Sequence, residues 1–255
     1  NQDITVIRDF SAGSNATTML CMKNDKMFYR KYAIEDREKL YDQIVWIEKN
    51  KKRGLPLPKI LNKEKNDEYC FYDMSYDSNA MVLFEYVHSM PDEDGWNITQ
   101  KALDSLNKCV YTQNVRPSDK ETIFKYIESK VTKNIDTILQ EKIIKRLLKY
   151  DEIYINGKAY KNLPYYLKFL SKEYLYEIFK NDSYSELHGD LTIENIVCTR
   201  NKNSEDGFYI IDPNTGNLHD SPNLDYGKLL QSIHGGYEII IKNHDLSYEE
   251  NRINF

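Results

Sequence analysis

The sequence predicts an α+β protein in which strands dominate the N-terminal part and helices dominate the remainder. Runs of β-branched and aromatic residues recur up to Val87, and apolar residues spaced three and four apart begin at Thr99. With 255 residues, of which 40% are hydrophobic, the chain is long enough for one large domain or two lobes. We therefore expect a β-rich lobe over residues 1–87 and a helical lobe over residues 88–255, with a ligand cleft between them.

Four strands and one helix are predicted in the β-rich lobe. Residues 19–22 and 27–33 flank a polar four-residue turn and are expected to form an antiparallel hairpin. Residues 35–50 carry apolar side chains at helical spacing, and a glycine and two prolines end the pattern. Residues 69–74 and 81–87 follow as strand candidates separated by a polar turn.

Beyond an expected linker at residues 91–95, the pattern is mostly helical. The predicted helices span residues 99–111, 120–129, 135–150 and 165–179. Two hairpins are predicted among them. Residues 153–160 alternate around an Asn-Gly pair, which is the strongest short hairpin signal, and residues 196–199 and 208–211 flank a polar loop.

Composition and charge exclude several classes of protein. The net charge of −5 gives no overall basic field for nucleic acid. No run approaches the roughly 18 apolar residues of a membrane helix, and no basic-then-apolar leader begins the chain. The four cysteines stand far apart, so neither a zinc site nor disulfides are expected. The sequence predicts a cytoplasmic protein with no membrane or nucleic-acid partner, and its first residue, Asn1, suggests a piece of a longer chain with other domains.

The sharpest chemical signal is HGDLTIENI at residues 188–196, followed by YIIDPN at residues 209–214. Phosphoryl transfer needs a base that orients the attacking hydroxyl and oxygen ligands that hold a metal ion and the phosphates in line. Asp190 suits the first role. Asn195 and Asp212 suit the second, because both offer the oxygen atoms that Mg²⁺ prefers. Taken singly, each is equally consistent with a turn, a cap or a satisfied core residue.

The pattern His-x-Asp-x-x-x-x-Asn followed by a strand-borne Asp resembles the catalytic loop and metal-binding Asp of the protein-kinase-like superfamily. The forms HGD and Asp-Pro-Asn are closer to the aminoglycoside phosphotransferase and choline kinase branch. The resemblance covers about residues 11–230 and implies a bilobal protein-kinase-like fold. It also implies that Asp190 is the catalytic base, that Asn195 and Asp212 bind Mg²⁺, and that His188 supports the loop.

The run VLFEYV at residues 82–87 is similar to the hinge of kinases. This similarity implies that the carbonyl of Glu85 and the amide of Val87 pair with the adenine edge of a nucleotide. Taken alone, the run is simply a buried strand.

The phosphate-binding cation is either Lys31 or Arg30. Lys31 stands eighteen positions after Gly13, which is similar to the spacing between phosphate loop and lysine in this superfamily. Strand alternation places the two cations on opposite faces and does not decide which faces the cleft, so the preference for Lys31 comes from the resemblance. Backbone N–H groups of Gly13, Ser14 and Asn15 are candidate phosphate contacts, although a plain polar turn is the alternative.

One helical position departs from the family pattern, in which a Glu pairs with the lysine. Here Gln43 holds that position, with Glu38 or Asp42 as alternatives, and a neutral Gln could still accept a hydrogen bond from the lysine. Asp225 resembles the acidic residue that braces the catalytic loop, and its alternative is an ordinary acid at a helix N-terminus.

The leading hypothesis is a kinase that uses Mg²⁺ and moves the γ-phosphate of ATP or GTP to a hydroxyl of a small metabolite. Sugars, amino sugars and amino alcohols such as choline are the acceptor classes, and a weaker resemblance is to kinases associated with bacterial surface-polysaccharide synthesis. A protein kinase is the next hypothesis, against which stands the lack of Ala-Pro-Glu after Asp212. A non-catalytic, kinase-shaped binding or regulatory module is the rival of a different class, and Gln43 is its evidence.

Overall fold

Strands are concentrated near the N-terminus and helices in the remainder, as the sequence predicts. In the computed structural model, residues 4–10, 16–200, 206–242 and 245–255 are described. Their strands are β1 (Thr5–Asp9), β2 (Thr17–Lys23), β3 (Lys26–Ala33), β4 (Ile60–Lys65), β5 (Cys70–Ser75), β6 (Ala80–Val82), β7 (Arg116–Pro117), β8 (Glu152–Ile155), β9 (Lys158–Lys161), β10 (Ser183–Tyr184), β11 (Ile196–Thr199), β12 (Phe208–Ile210), β13 (Ser247–Glu249) and β14 (Arg252–Asn254). Their α-helices are α1 (Arg37–Lys52), α2 (Leu83–Val87), α3 (Asp92–Cys109), α4 (Lys120–Tyr126), α5 (Lys133–Gln140), α6 (Lys142–Leu147), α7 (Leu163–Leu167), α8 (Lys172–Phe179), α9 (Pro222–Ile233) and α10 (Tyr237–Lys242).

A five-stranded antiparallel sheet has the order β1-β2-β3-β5-β4. The predicted hairpin is confirmed as β2 and β3, and its two-residue turn at residues 24–25 takes φ of 50° and 58°, which short polar side chains tolerate. β3 pairs with β5, so that Lys31 lies opposite Tyr72 and Arg30 lies opposite Asp73. Because side chains alternate along a strand, these two pairs lie on opposite faces of the sheet.

Helix α1 confirms the helix predicted over residues 35–50 and packs on β3, β4 and β5. Its buried residues recur three and four apart and so form one face of the helix. They are Leu40, Gln43, Ile44, Trp46, Ile47 and Asn50. Lysines in the last turn complement the negative end of the helix dipole.

A three-stranded antiparallel sheet has the order β12-β11-β6 and confirms the hairpin predicted around the polar loop. The strand predicted over residues 81–87 is correct only to Val82, because the chain then turns into α2. Leu83 is fully buried, and the N–H of Phe84 donates to the carbonyl of Ile193 at 3.2 Å. A short apolar run does not by itself distinguish a buried strand from a buried helix, which is why this prediction was wrong.

The predicted linker at residues 91–95 is also wrong, because α3 begins at Asp92. Acidic residues fill its first turn, where they are stabilised by the positive end of the helix dipole. Gly95 then fits inside the helix because a Cβ there would lie 2.5 Å from the side chain of Val87. The glycine therefore marks a close helix contact and not a break.

The chain divides into two compact units, one made of Asn1–Gln113 and Glu186–Asn217 and the other of Asn114–Ser185 and Leu218–Phe255. The first unit contains the five-stranded and three-stranded sheets. The second contains α4 to α10 and a four-stranded sheet of order β13-β14-β8-β9. The predicted lobes, 1–87 and 88–255, divide the chain elsewhere and stay a prediction.

Two of the helices predicted in the second unit are divided, and the one predicted over residues 120–129 is longer than predicted, because the segment that begins as α4 continues through a π-helical turn (Ile127–Thr132) into α5. Residues 135–150 form α5 and α6, because Glu141 between them is extended with ψ of 133°. Residues 165–179 form α7 and α8, which are separated by a 3-10 turn (Lys168–Leu170) and by Ser171, whose side chain caps α8. The hairpin predicted around Asn-Gly is confirmed as β8 and β9.

Together these elements confirm the predicted α+β class, with an antiparallel sheet first and a mainly helical remainder. Within the ranges described above, no helix has the length and apolar character needed to cross a membrane.

Candidate active site

The loop from His188 to Asn195 is held by hydrogen bonds that begin at a buried histidine. His188 Nε2 lies 2.7 Å from the carbonyl oxygen of Ile211, and the N–H of Asp190 donates to Nδ1 at 3.3 Å. Because a carbonyl only accepts and a backbone N–H only donates, Nε2 is the ring nitrogen that donates and Nδ1 is the one that accepts. These contacts fix the position of the loop, and the supporting role that the resemblance implied for His188 stays a prediction.

Two further contacts hold the start of the loop. The indole N–H of Trp46, on α1, donates to the carbonyl of Leu187 at 3.0 Å, and its ring meets His188 edge-on with ring centroids 5.8 Å apart. The carbonyl of His188 accepts from the N–H of Asn214 at 2.7 Å. The loop is therefore tied both to α1 and to the segment that carries Asp212.

Gly189 is required in this loop for two independent reasons. Its φ of +85° belongs to a left-handed region that side chains rarely adopt. A Cβ at this position would also overlap the side-chain nitrogen of Asn217 and the carbonyl oxygen of Asn214. The backbone thus approaches its neighbours more closely than any other residue would allow.

Asp190 and Asn195 are joined through a tight turn. The carbonyl of Asp190 accepts from the N–H of Thr192 at 3.0 Å and from the side-chain nitrogen of Asn195 at 2.8 Å. The carbonyl of Asn195 in turn accepts from the N–H of Ile211 at 3.0 Å. Because the Asn195 amide is oriented by its nitrogen, its side-chain oxygen is the atom that could bind a cation.

Asp212 follows β12 directly and takes φ of +55°, a conformation that Asp tolerates better than bulky residues do. Its Oδ1 lies 2.8 Å from Nζ of Lys31, in an ion pair whose side chains are 38% and 10% exposed respectively. A predicted phosphate-binding cation and a predicted metal ligand are therefore in direct contact.

Arg30 is occupied on the opposite face of the sheet. Its Nε and Nη2 donate to the two carboxylate oxygens of Asp73 at 2.7 and 2.8 Å, and its guanidinium lies 4.1 Å from the ring centre of Phe71. The hydrogen bond to Asp73 raises the pKa of Arg30 above its ordinary value, although burial acts in the opposite direction. Of the two candidate cations, Lys31 is the one that lies beside Asp212.

Gln43 contacts the residue after Asp212 and not the lysine. Its Nε2 donates to the carbonyl of Pro213 at 2.7 Å, which leaves Oε1 buried with no hydrogen-bond partner. The hydroxyl of Tyr72 is likewise buried and without a partner. Among the described residues, one further buried side-chain atom has no hydrogen-bond partner, Oε2 of Glu238 in the second compact unit.

The remaining predicted residues are distributed as follows. Gly13, Ser14 and Asn15 lie outside the described residues. Glu85 and Val87 belong to α2 and not to the strand predicted there, and the carbonyl of Glu85 accepts from the Ser89 hydroxyl at 2.8 Å. Their contact with adenine stays a prediction. Asp225 lies fully buried in the first turn of α9, in the second compact unit, and its bracing role stays a prediction.

The donor atoms near Asp212 fit a hard divalent cation. A carboxylate from Asp212 and an amide oxygen from Asn195 are the ligand types that Mg²⁺ prefers. Across the described ranges no three His, Cys, Asp or Glu side chains cluster as a metal site. A cation here would complete its coordination with phosphate oxygens and water, which is how Mg²⁺ is usually held in phosphoryl-transfer sites.

Sequence reasoning missed Glu186, which directly precedes the motif. Its two carboxylate oxygens pair with Lys49 at 2.6 Å and with Arg53 at 2.8 Å, both on or just after α1. Burial acts to raise the pKa of Glu186, but hydrogen bonds and charges from Arg53 and Lys49 outweigh it and lower the pKa below 4.5. A basic pair at i and i+4 near the end of α1 was the signal that could have suggested an acidic partner.

By its sequence, the chain matches no protein-family model and no curated protein. Among solved structures, it is similar to a thermostable mutant of aminoglycoside phosphotransferase APH(4)-Ia in its apo form, with 10% identity, a TM-score of 0.49, and coverage of 86% of this chain and 68% of that one. It is also similar to the autoinhibited serine kinase domain of the giant muscle protein titin, with 11% identity and a TM-score of 0.36, over 46% of this chain and only 38% of that one. At these values the similarities carry no argument about function, which rests on the site residues.

Proposed function

We propose that the protein is a kinase that transfers the γ-phosphate of ATP or GTP to a hydroxyl of a small metabolite. The observation that carries the proposal is that Asp190 and Asn195 are joined by main-chain and amide hydrogen bonds to the segment bearing Asp212, whose carboxylate already holds Lys31. A scaffold has no physical need for this combination of a candidate base, two oxygen ligands and a cation.

In this proposal Asp190 orients the acceptor hydroxyl and takes its proton. The hydroxyl oxygen forms a bond to the γ-phosphorus while the bond from that phosphorus to the bridging oxygen breaks, and the electron pair leaves with the nucleoside diphosphate. Mg²⁺, when bound, would offset the negative charge on the phosphates. Asn195 and Asp212 would hold it, and Lys31 would contact the phosphates.

The class of acceptor is proposed from the sequence motif and not from a pocket. Sugars, amino sugars and amino alcohols such as choline are the acceptors to try first, and a role in surface-polysaccharide synthesis is one setting for such a kinase. The alternative is a non-catalytic nucleotide-binding module. It is favoured by the contact of Gln43 with Pro213, because no acidic group on α1 is seen to pair with Lys31.

The deciding experiment measures nucleotide consumption with Mg²⁺ over a panel of sugars, amino sugars and amino alcohols, with mass spectrometry of the product. Asp190→Asn removes the base and keeps the side-chain shape, so turnover should fall by at least about 100-fold while nucleotide affinity is kept. Asp104→Asn, at an exposed position on α3, is the matched control and should change neither quantity.

Three outcomes contradict parts of the proposal. Turnover retained in Asp190→Asn rejects the assignment of the base. Nucleotide binding that requires Mg²⁺, without consumption for any acceptor, favours the non-catalytic module. The absence of nucleotide binding rejects both.

A further inference from the structure

The hydroxyl of Tyr72 lies at a position where it does not stabilise the described fold. The residue lies in the middle of β5, it is fully buried, and its oxygen has no hydrogen-bond partner among the described residues. A buried hydroxyl without a partner destabilises a protein, and phenylalanine would fill the same space without that cost. A state of the protein in which this hydroxyl is bonded would explain it.

The candidate partner of this hydroxyl is the carboxylate of Asp212. Tyr72 lies directly opposite Lys31 across the β3–β5 pairing, so the two side chains project from the same face of the sheet. Lys31 reaches Oδ1 of Asp212 on this side. Burial and the nearby Asp212 carboxylate both raise the pKa of Tyr72 far above its ordinary value, so its hydroxyl keeps its proton and remains a donor.

An unpartnered acceptor complements this unpartnered donor. Oε1 of Gln43 is buried beside Pro213, whose carbonyl already occupies the other end of the same amide. An ammonium group has three N–H donors to distribute, whereas the described contacts of Lys31 show one, to Asp212. The Tyr72 hydroxyl, Oε1 of Gln43 and two N–H groups of Lys31 are therefore available for new hydrogen bonds if Lys31 moves away from Asp212.

We propose that Tyr72 is a positioning residue, which donates a hydrogen bond to the Asp212 carboxylate when Lys31 leaves Asp212 to bind the phosphates of a nucleotide. The role rests on the proposed function, because the nucleotide is what draws Lys31 away. Its physical value is that a partly exposed carboxylate keeps one oxygen held by a fixed neutral donor and presents the other to a cation.

The first test needs no ligand. In a Lys31→Met background Asp212 has lost its cation, so the Tyr72 hydroxyl becomes its donor and Tyr72→Phe should lower the melting temperature. In the wild-type background the same substitution removes only an unsatisfied hydroxyl, so the melting temperature should stay the same or rise. Tyr69→Phe, which removes an exposed hydroxyl bonded to Glu64 in the same sheet, is the matched control and should have equal effects in both backgrounds.

The second test is calorimetry of nucleotide binding with and without Mg²⁺. Tyr72→Phe should weaken binding about tenfold with Mg²⁺ and leave binding without Mg²⁺ unchanged, since only the metal-dependent state uses the oriented carboxylate. A purely structural role would lower both affinities and the melting temperature together.

The outcomes separate the two proposals. If wild-type protein binds nucleotide with Mg²⁺ and Tyr72→Phe binds it equally well, the positioning role is overturned and the proposed function stands. If Tyr72→Phe changes the melting temperature equally in the wild-type and Lys31→Met backgrounds, the hydroxyl does not reach Asp212 and the role is again overturned. If wild-type protein binds no nucleotide, the proposed function fails, and the ligand-free result still decides whether Tyr72 can donate to Asp212.

Discussion

Two neighbouring cations lie on β3, and replacing each by methionine, which keeps most of the length of the side chain, is expected to impair a different property of the protein. Arg30→Met leaves the carboxylate of Asp73, only 7% exposed, without its partner. Lys31→Met frees the carboxylate of Asp212, which at 38% exposure can be solvated by water. The first variant should therefore lose stability, and the second should lose nucleotide binding.

The magnitudes follow from burial. Removing one partner of a buried ion pair costs about 3–5 kcal/mol, and the 18% exposure of Arg30 places this pair near the lower end, at about 3 kcal/mol. In a chain of this length each kcal/mol shifts the melting temperature by roughly 2–4 °C, so Arg30→Met should melt about 6–12 °C lower. Breaking the more exposed Lys31–Asp212 pair should cost about 1 kcal/mol or less.

The assay pairs thermal unfolding with calorimetric titration of ATP and GTP in the presence of Mg²⁺. Lys31→Met should bind nucleotide at least about tenfold more weakly, because a hydrogen bond between charged groups is lost. Arg30→Met, measured below its melting range, should bind as wild type does. If Arg30→Met loses affinity and keeps its melting temperature, Arg30 is the phosphate-binding cation and the assignment of Lys31, which rests on its contact with Asp212, is wrong.

Two further predictions concern the loop and its support. Gly189→Ala should lower the free energy of unfolding by about 2–5 kcal/mol in chemical denaturation, because it combines a left-handed backbone with overlap against Asn217; an unchanged midpoint would contradict the close approach. Glu186→Gln should be less stable than wild type at pH 7, where Lys49 and Arg53 pair with the carboxylate. Because the folded-state pKa of Glu186 is lowered, this stability is fully present above 4.5 and is lost as the pH falls through the folded-state pKa, so the two melting curves should converge in acid. A difference that stays constant down to low pH would show that the ion pairs contribute nothing.

The sequence alone identified the candidate site residues that form a recognisable motif along the chain. His188, Asp190, Asn195 and Asp212 are recognisable by spacing alone. Hydrogen bonds tie the loop that carries the first three to Ile211 and Asn214, which flank Asp212, while the catalytic roles stay predictions. Periodicity also placed Lys31 and Arg30 on opposite faces of a strand. It could not say which face meets Asp212, because that depends on how the sheet packs against the segment that carries Asp212, 181 residues beyond Lys31 in the chain.

Other features were beyond single-sequence reasoning for different physical reasons. Residues 82–87 are apolar except for Glu85, and such a short segment is compatible with both a buried strand and a buried helix, so from Leu83 the predicted strand is in fact α2. Tyr72 looks like an ordinary strand residue, since aromatic side chains are common in sheets. It stands out only because Lys31 lies opposite it and because its hydroxyl has no hydrogen-bond partner within the described ranges.

The hydrogen bonds also divide the site into a part that is fixed and a part that can exchange. Both peptide groups of Ile211 are used: its N–H binds the carbonyl of Asn195 and its carbonyl binds His188, which in turn receives the N–H of Asp190. The separation of the candidate base from Asp212 is therefore set by the main chain and one buried imidazole. The Asp212 carboxylate, in contrast, is held by Lys31 alone among its described contacts, so its partner can change without moving the backbone that carries it. A site built this way can rearrange charge around a metal ion and phosphates while the base keeps its place.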